Sequence, residues 1–319
     1  MRVLFAGKKE RGISGLRALA AAGHEIVGVI AHPDGTAAVG DTFAAEARLM
    51  GFPVRQPEKV NDPAFIDVLR PLAPEVIVLA GYGQIVRRPF IDLAPLGCIN
   101  LHAGKLPQYR GSSPLNWALI NGEREIGLSI VRVDEGVDTG DVFAERAFPV
   151  GIDDTIADLH ALANRNFPEM LLETLDGLSA GTLVPRKQDG AKAGYWPLRF
   201  PDDGLILWDT LSAVEIHNRI RALTDPYPGA FGFLGERRVR ILKSHLAEPP
   251  YHGEPGRIYR KTGRGILVGA RDRCLWIARA VFADTGEDAV AAAVRYEKFG
   301  TLRDAAINFW ERRGRGGAA

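Results

Sequence analysis

Short, nearly continuous apolar runs alternate with amphipathic stretches through the first half of the chain. Arg2 to Ala6, Glu25 to Ala31, Glu75 to Ala80 and Gly97 to Leu101 read as buried strands, with Val54 a brief one. Between them Gly15 to Ala22, Thr42 to Met50, Asp62 to Leu72 and Pro89 to Ala94 read as helices, two of them closed by a following glycine. Strands apolar on both faces and alternating with helices predict βαβ units and a mainly parallel sheet. Ligands of such sheets lie beyond the carboxyl ends of the strands, and Asn100 and His102 fall at one such end. After Pro114 a helix runs to Asn121, followed by strands at Leu128 to Val133 and Val142 to Phe148. Thr155 to Leu175 predicts a long helix that Pro168 should kink or split.

The texture changes between Gly177 and Asp203, where glycine and proline recur and apolar runs are short, the mark of a boundary. Beyond it one helix, Leu211 to Leu223, is followed by short apolar runs separated by Gly-containing turns. That pattern predicts a small β-barrel or sandwich. A last helix is expected from Leu302 to Arg312. The expected organisation is an α/β domain over 1–185, a linker over 186–203 and a β domain over 204–312.

Composition narrows the classes. The 319 residues carry 46% apolar and 25% charged positions, ordinary for a globular enzyme. Forty basic and 39 acidic side chains leave a formal net charge of +1, so overall charge advertises neither nucleic acid nor membrane. Cys98 and Cys274, the only cysteines, are too few for a disulfide framework or a multi-cysteine zinc site. No apolar run reaches spanning length and the start lacks a signal-type segment, so a soluble, reduced, cytoplasmic protein is expected.

The chemistry concentrates between Ile99 and Val142. Asn100-Leu101-His102 ends a strand, the Pro/Gly-rich stretch Leu106 to Pro114 follows, and Asp134, Asp138 and Asp141 sit in a turn after another strand. An amide, an imidazole and a carboxylate suit attack by an amine on an activated carbonyl: the amide donates to a developing oxyanion, the other two manage the proton. Competing chemistries lack their parts. Gly7-Lys8-Lys9-Glu10-Arg11-Gly12 misses the middle glycine of a dinucleotide fingerprint, and no Gly-Lys-Ser/Thr makes a phosphate loop. There is no nucleophile elbow and no metal-ligand spacing around His102. Cys98 reads as core packing, as do the five tryptophans.

These segments, with Pro114-Leu115-Asn116-Trp117 and Gly136-Val137-Asp138-Thr139-Gly140-Asp141, resemble the signature of the folate-dependent formyltransferases. Pro74 to Val86 resembles the family's folate strand and loop. Ile220-Arg221-Ala222 and Asp225 to Phe231 resemble the second-domain motif of the two-domain members. The resemblance implies a Rossmann-like formyltransferase domain followed by an OB-like barrel, with 10-formyltetrahydrofolate as co-substrate and no metal. It implies catalysis by Asn100, His102 and Asp138. Folate contacts are implied at Gln84, Ile85, Val86, Ser112, Asp134, Glu135, Gly136 and Val137. Ser112 stands where relatives often carry a basic or apolar residue. Lys8 and Arg11 follow the first strand, where they could reach an acceptor phosphate or be no more than a solvated loop.

The acceptor is expected to be a nucleotide-linked amino sugar. Leu115-Asn116-Trp117 and the Asp225-to-Phe231 turn resemble the formyltransferase portion of the bacterial enzyme acting on UDP-4-amino-4-deoxy-L-arabinose. Methionyl-tRNA formyltransferase is the alternative, and an inactive folate-fold binding module a third reading of another class. Against tRNA, Pro33 to Phe43 holds Asp34 and Asp41 but no Lys or Arg, where phosphates would need cations. For it, residues 236–319 hold 17 basic and 10 acidic side chains. A homodimer is left open.

Overall fold

In this computed structural model residues 1–34 and 41–307 are described. The chain divides into two compact units. The first comprises Met1–Pro114, Glu125–Pro149 and His160–Pro197; the second comprises Leu115–Arg124, Val150–Leu159 and the residues from Leu198 on.

The first unit is built on strands β1 (Arg2–Gly7), β2 (Glu25–Ile30), β3 (Val54–Arg55), β4 (Val76–Ala80), β5 (Cys98–His102), β7 (Glu125–Arg132) and β8 (Val142–Pro149), with β6 (Arg110–Gly111) apart. The seven-stranded sheet has the order β3-β2-β1-β4-β5-β7-β8. Its first five strands are parallel, whereas β7 pairs antiparallel with β5 and with β8. The parallel strands are buried on both faces, as their unbroken apolar runs require: Val3 to Ala6 and Val76 to Val78 are wholly inaccessible. One core cluster gathers Leu4, Ala6, Ile30, Ile77, Leu79, Phe90 and Cys98.

Three local expectations change. Helix α1 (Lys9–Ala21) starts directly after β1 rather than at Gly15, so Lys9 to Gly12 are helical and not a loop. Gly12 makes this possible, because a Cβ there would lie 2.8 Å from the Phe43 ring and 3.1 Å from Gly7 Cα. The expected split at Pro168 does not occur: Ile156–Ala180 is a single 25-residue helix. Phe167, Met170, Leu171 and Leu175 are buried along it, and tertiary packing outweighs one lost hydrogen bond. Finally, the antiparallel course of β7 puts Asp134 at the end where β5 begins, since Ile99 lies opposite Arg132. A parallel course would have brought the acidic turn to the rim where β5 ends; it leaves the sheet at the opposite rim.

The second unit holds a five-stranded antiparallel sheet, Ala230–Leu234, Arg237–Leu246, Cys274–Phe282, Gly265–Gly269 and Ile258–Thr262 in spatial order. Phe299 bridges Leu234 on one edge strand, and Lys298 bridges Arg257 beside the other, which closes the sheet into a barrel. Trp208 is fully buried against Phe299, ring centroids 4.9 Å apart. A helix, Ala213–Leu223, packs on this barrel; Ser212 and Glu215 form its capping box. His217 on it is structural: Nε2 meets the Ile152 carbonyl at 2.8 Å and Nδ1 meets Ser244 Oγ at 3.0 Å. Residues 302–307 are helical, and the rest of the helix expected to Arg312 lies outside the described residues. Among the described residues no helix is long and apolar enough to cross a membrane.

Candidate active site

The site starts from strand period. Side chains two apart on β5 share a face, so Asn100 and His102 emerge together while Ile99 and Leu101 enter the core on the other. Asn100 is half-buried and His102 retains only 5% exposure. His102 Nε2 lies 2.6 Å from the Tyr109 carbonyl. A carbonyl can only accept, so Nε2 carries a hydrogen and Nδ1 is the atom left for exchange. Nδ1 stands 3.5 Å from Asp138 Oδ2. Asn100 Nδ2 donates toward Asp138 Oδ1, also at 3.5 Å, and the Gly111 N–H donates to Oδ2 at 2.9 Å. Two of the three side chains expected to act together, Asn100 and His102, thus meet the carboxylate of the third, Asp138. Long contacts of this kind shorten when a reactant fills the site.

Gly104 was not singled out in the sequence, yet the imidazole depends on it. A Cβ there would lie 2.5 Å from His102 Nε2 and 2.7 Å from the Tyr109 carbonyl oxygen. The nearby glycine of His102-Ala103-Gly104 was the available signal.

Two further segments flank this centre. Gln84 turns its side chain inward, accepting from the Val60 N–H at 2.9 Å and donating to the Pro57 carbonyl at 3.2 Å. That anchoring leaves Ile85 73% exposed and Val86 buried. In the acidic loop the Asp134 carboxylate is spent on the loop itself, accepting from Gly136 N–H at 3.0 Å and Thr139 Oγ1 at 2.5 Å. Arg88, just beyond Val86, pairs with Glu135 at 3.3 Å and ties the two segments together. Val137 is 48% exposed. Ser112 is exposed, its N–H bound to the Trp196 carbonyl at 2.9 Å. A cavity of about 370 Å³, lined in part by Arg88, Val133 and Asp134, opens beside them. Cys98 is fully buried and burial pushes its thiol up, out of reach of nucleophilic use.

The comparisons with known proteins follow this layout. Residues 1–175 match the formyl transferase family and residues 200–290 its C-terminal domain. The chain belongs to the folate-dependent formyltransferases. Among its relatives, a methionyl-tRNA formyltransferase of Geobacter sulfurreducens is 40% identical over 274 residues, 84% of this chain and 85% of that one. Another from Anaeromyxobacter dehalogenans is 42% identical over 277 residues, 84% and 88% of the two chains. The N-formyltransferase from Helicobacter canadensis, solved with folinic acid and dTDP-3-aminofucose, shares the fold: TM-score 0.67, 18% identity, 87% of this chain and 99% of that one.

For this formyltransferase the amino-sugar acceptor expected from the sequence is overturned by the methionyl-tRNA formyltransferases that match along most of its length. Asp41 Oδ1 accepts from the Lys9 and Phe43 N–H groups at 2.9 and 3.1 Å. Asp34 accepts from Gln56 Nε2 at 2.9 Å. Residues 35–40 of that stretch lie outside the described residues.

Lys8 and Arg11 of the formyltransferase stand in a second cluster, after β1, β2 and β4. The Lys8 ammonium is lowered below its usual range, chiefly by burial and then by Lys9. Arg11 lies over the Phe167 ring at 5.3 Å, and His32 stacks on Tyr82 at 4.7 Å while accepting from the Gly83 N–H. His160 is pushed down to about 4 by burial first, then by Arg11 and Lys9. The free imidazole titrates near about 6.5, so the unfolded chain binds the extra proton between those values. Stability from neutral His160 is therefore complete above about 6.5 and lost as pH falls toward 4. His160→Gln should flatten the acid limb of the thermal midpoint in that window. Parallel decline of wild type and variant there would contradict the assignment.

Proposed function

We propose that this enzyme formylates the α-amine of methionyl-tRNA, with 10-formyltetrahydrofolate as donor and Asn100, His102 and Asp138 as the reacting centre. The observation that carries the acceptor is the 40–42% identity to methionyl-tRNA formyltransferases over 84% of the chain. The surplus of 17 basic over 10 acidic residues in 236–319 supports it, because RNA is held by cations meeting phosphates.

The flanking segments fit the donor. Ile85 and Val137 hold apolar side chains in solvent on loops braced by polar contacts, which suits the faces of a planar ring. Gln84, Ile85 and Val86 on one side, and Asp134, Glu135, Gly136 and Val137 on the other, would hold it, with Ser112 beside Gly111. Bound there, 10-formyltetrahydrofolate supplies an electrophilic formyl carbon. The Asn100 amide donates to the oxygen on which negative charge develops, a contribution of roughly 3 kcal/mol for one such donor. As the amine nitrogen bonds to the formyl carbon, His102 Nδ1 would take the proton that the amine loses and give it to the folate nitrogen, whose bond to the formyl carbon breaks so that tetrahydrofolate leaves; the Asp138 carboxylate stabilises the imidazolium form. The fixed Nε2 contact to Tyr109 keeps the ring from turning, so proton transfer is confined to the Asp138 side.

Turnover on methionyl-tRNA measured against salt tests the acceptor. The logarithm of kcat/KM should fall linearly with the logarithm of salt concentration, with a slope of about 0.9 per phosphate contact. Efficient turnover of a small free amine with no activity on methionyl-tRNA would sink the reading.

A further inference from the structure

The segment between the two family matches, residues 176–199, does more than connect. Arg186 exchanges backbone hydrogen bonds with Val142, both at 2.8 Å. Further on, β9 (Tyr195–Trp196) pairs with β6, and Gly194 accepts from the Arg110 N–H at 3.0 Å. Trp196 stacks on Tyr109 at 5.3 Å and donates through Nε1 to the Gln108 carbonyl. The strap is thus anchored on both sides of Gln188.

Gln188 itself uses both ends of its carboxamide. Oε1 accepts from Arg110 Nε and Nη2 at 3.0 and 2.9 Å, while Nε2 donates to the carbonyls of Asp138 and Gly140 at 2.8 and 2.6 Å. Guanidinium only donates and carbonyls only accept, so this orientation of the amide is the one the partners allow. Arg110 is buried, with a third contact to the Tyr195 hydroxyl at 2.8 Å. Its neighbour Gly111 donates to the Asp138 carboxylate. A closed circuit results: the Asp138 backbone is held by Gln188, Gln188 by Arg110, and the carboxylate by the residue next to Arg110. Asp138 needs such holding, because its φ of +52° lies in the left-handed region that side chains other than glycine rarely adopt.

We propose that Gln188 is a positioning residue for formyl transfer, holding the Asp138 loop so that its carboxylate faces His102 and Gly111. The inference rests on the reading that Asp138 serves the reaction. Gln188 acts only through that loop, and its amide N–H groups, not merely its bulk, are what the loop requires.

Two substitutions separate the ends of the carboxamide. Gln188→Met keeps the volume and loses both ends. Gln188→Glu keeps an acceptor for Arg110, with added charge, but sets a carboxylate oxygen against two carbonyls. Steady-state and single-turnover rates on methionyl-tRNA would be measured for both in the full chain, with thermal midpoints, and again with Asp138→Ala. Both single variants should lower kcat by about 10- to 100-fold, the scale of a displaced reacting group, with KM for tRNA changed less than about threefold. In the Asp138→Ala background, Gln188→Met should cost less than about threefold more. Wild-type kcat in Gln188→Glu would overturn the proposal, and so would an undiminished effect of Gln188→Met beside Asp138→Ala. Should Gln188→Met fail to fold, Gln188→Glu, which keeps the Arg110 contact, still decides. Near-normal turnover by Asp138→Ala alone would instead remove the catalytic reading of Asp138, a distinct result that takes the proposal with it.

Discussion

Replacing His102 with alanine should lower kcat/KM for formyl transfer by about two to four orders of magnitude, the range of a removed acid–base group. His102 is the only imidazole at the Asp138 carboxylate among the described contacts, 3.5 Å away, and its ring is held by the Tyr109 carbonyl. The loss should appear in kcat, because the proton is transferred in the transition state and not on binding. Asn100→Ala should lose about a hundred- to a thousandfold through the oxyanion contribution. The two effects together should fall short of their sum, since both side chains serve one carboxylate and one reacting centre. Single-turnover rates at saturating methionyl-tRNA, with thermal unfolding as a folding control, make the measurement. A His102→Ala enzyme within tenfold of wild type would remove the imidazole from the reaction.

Gly104→Ala should reduce kcat by about a hundredfold although it removes no reacting group. The added methyl would lie 2.5 Å from His102 Nε2, 2.7 Å from the Tyr109 carbonyl oxygen and 2.9 Å from Pro114 Cβ. None of these is the far end of a flexible side chain. The imidazole or its backbone partner must move, and a displacement of about 1 Å costs on the order of a hundredfold in rate. Stability should fall too, by about 1–3 kcal/mol for an overpacked site. Gly190→Ala, where a Cβ meets nothing within 4 Å, serves as the control and should behave as wild type. Unchanged kcat in Gly104→Ala would show that the His102 ring does not need its present position.

The strands were legible because their signal is local. Val76 to Ala80 is apolar at every position and proves buried at every position. The period of two places Asn100 and His102 on one face of β5 whatever packs around them. The acceptor was misread for a related reason: a missing cation and two acids in Pro33 to Phe43 were taken as field-producing charges. Asp34 and Asp41 turned out to be committed to nearby donors. Hydrogen bonds to nearby N–H groups fix where such carboxylates point, which a count of charges along the sequence does not tell.

By itself the sequence determined the apolar strand series, the shared face of Asn100 and His102, the short-stranded barrel and the family signature. All of these are written in spacings of a few residues. Tertiary structure alone decided that Asp138, 38 residues from Asn100, reaches it: β7 runs antiparallel and leaves the sheet where β5 begins, and the loop after it brings the carboxylate back to Asn100. It also decided that Gln188, 50 residues from Asp138, closes on the same loop. It likewise carried the long helix through Pro168 and brought α1 against β1 at Gly12. Local periodicity reports which side of an element faces the core, but the partner met there depends on chain direction and close approach, which no short spacing encodes.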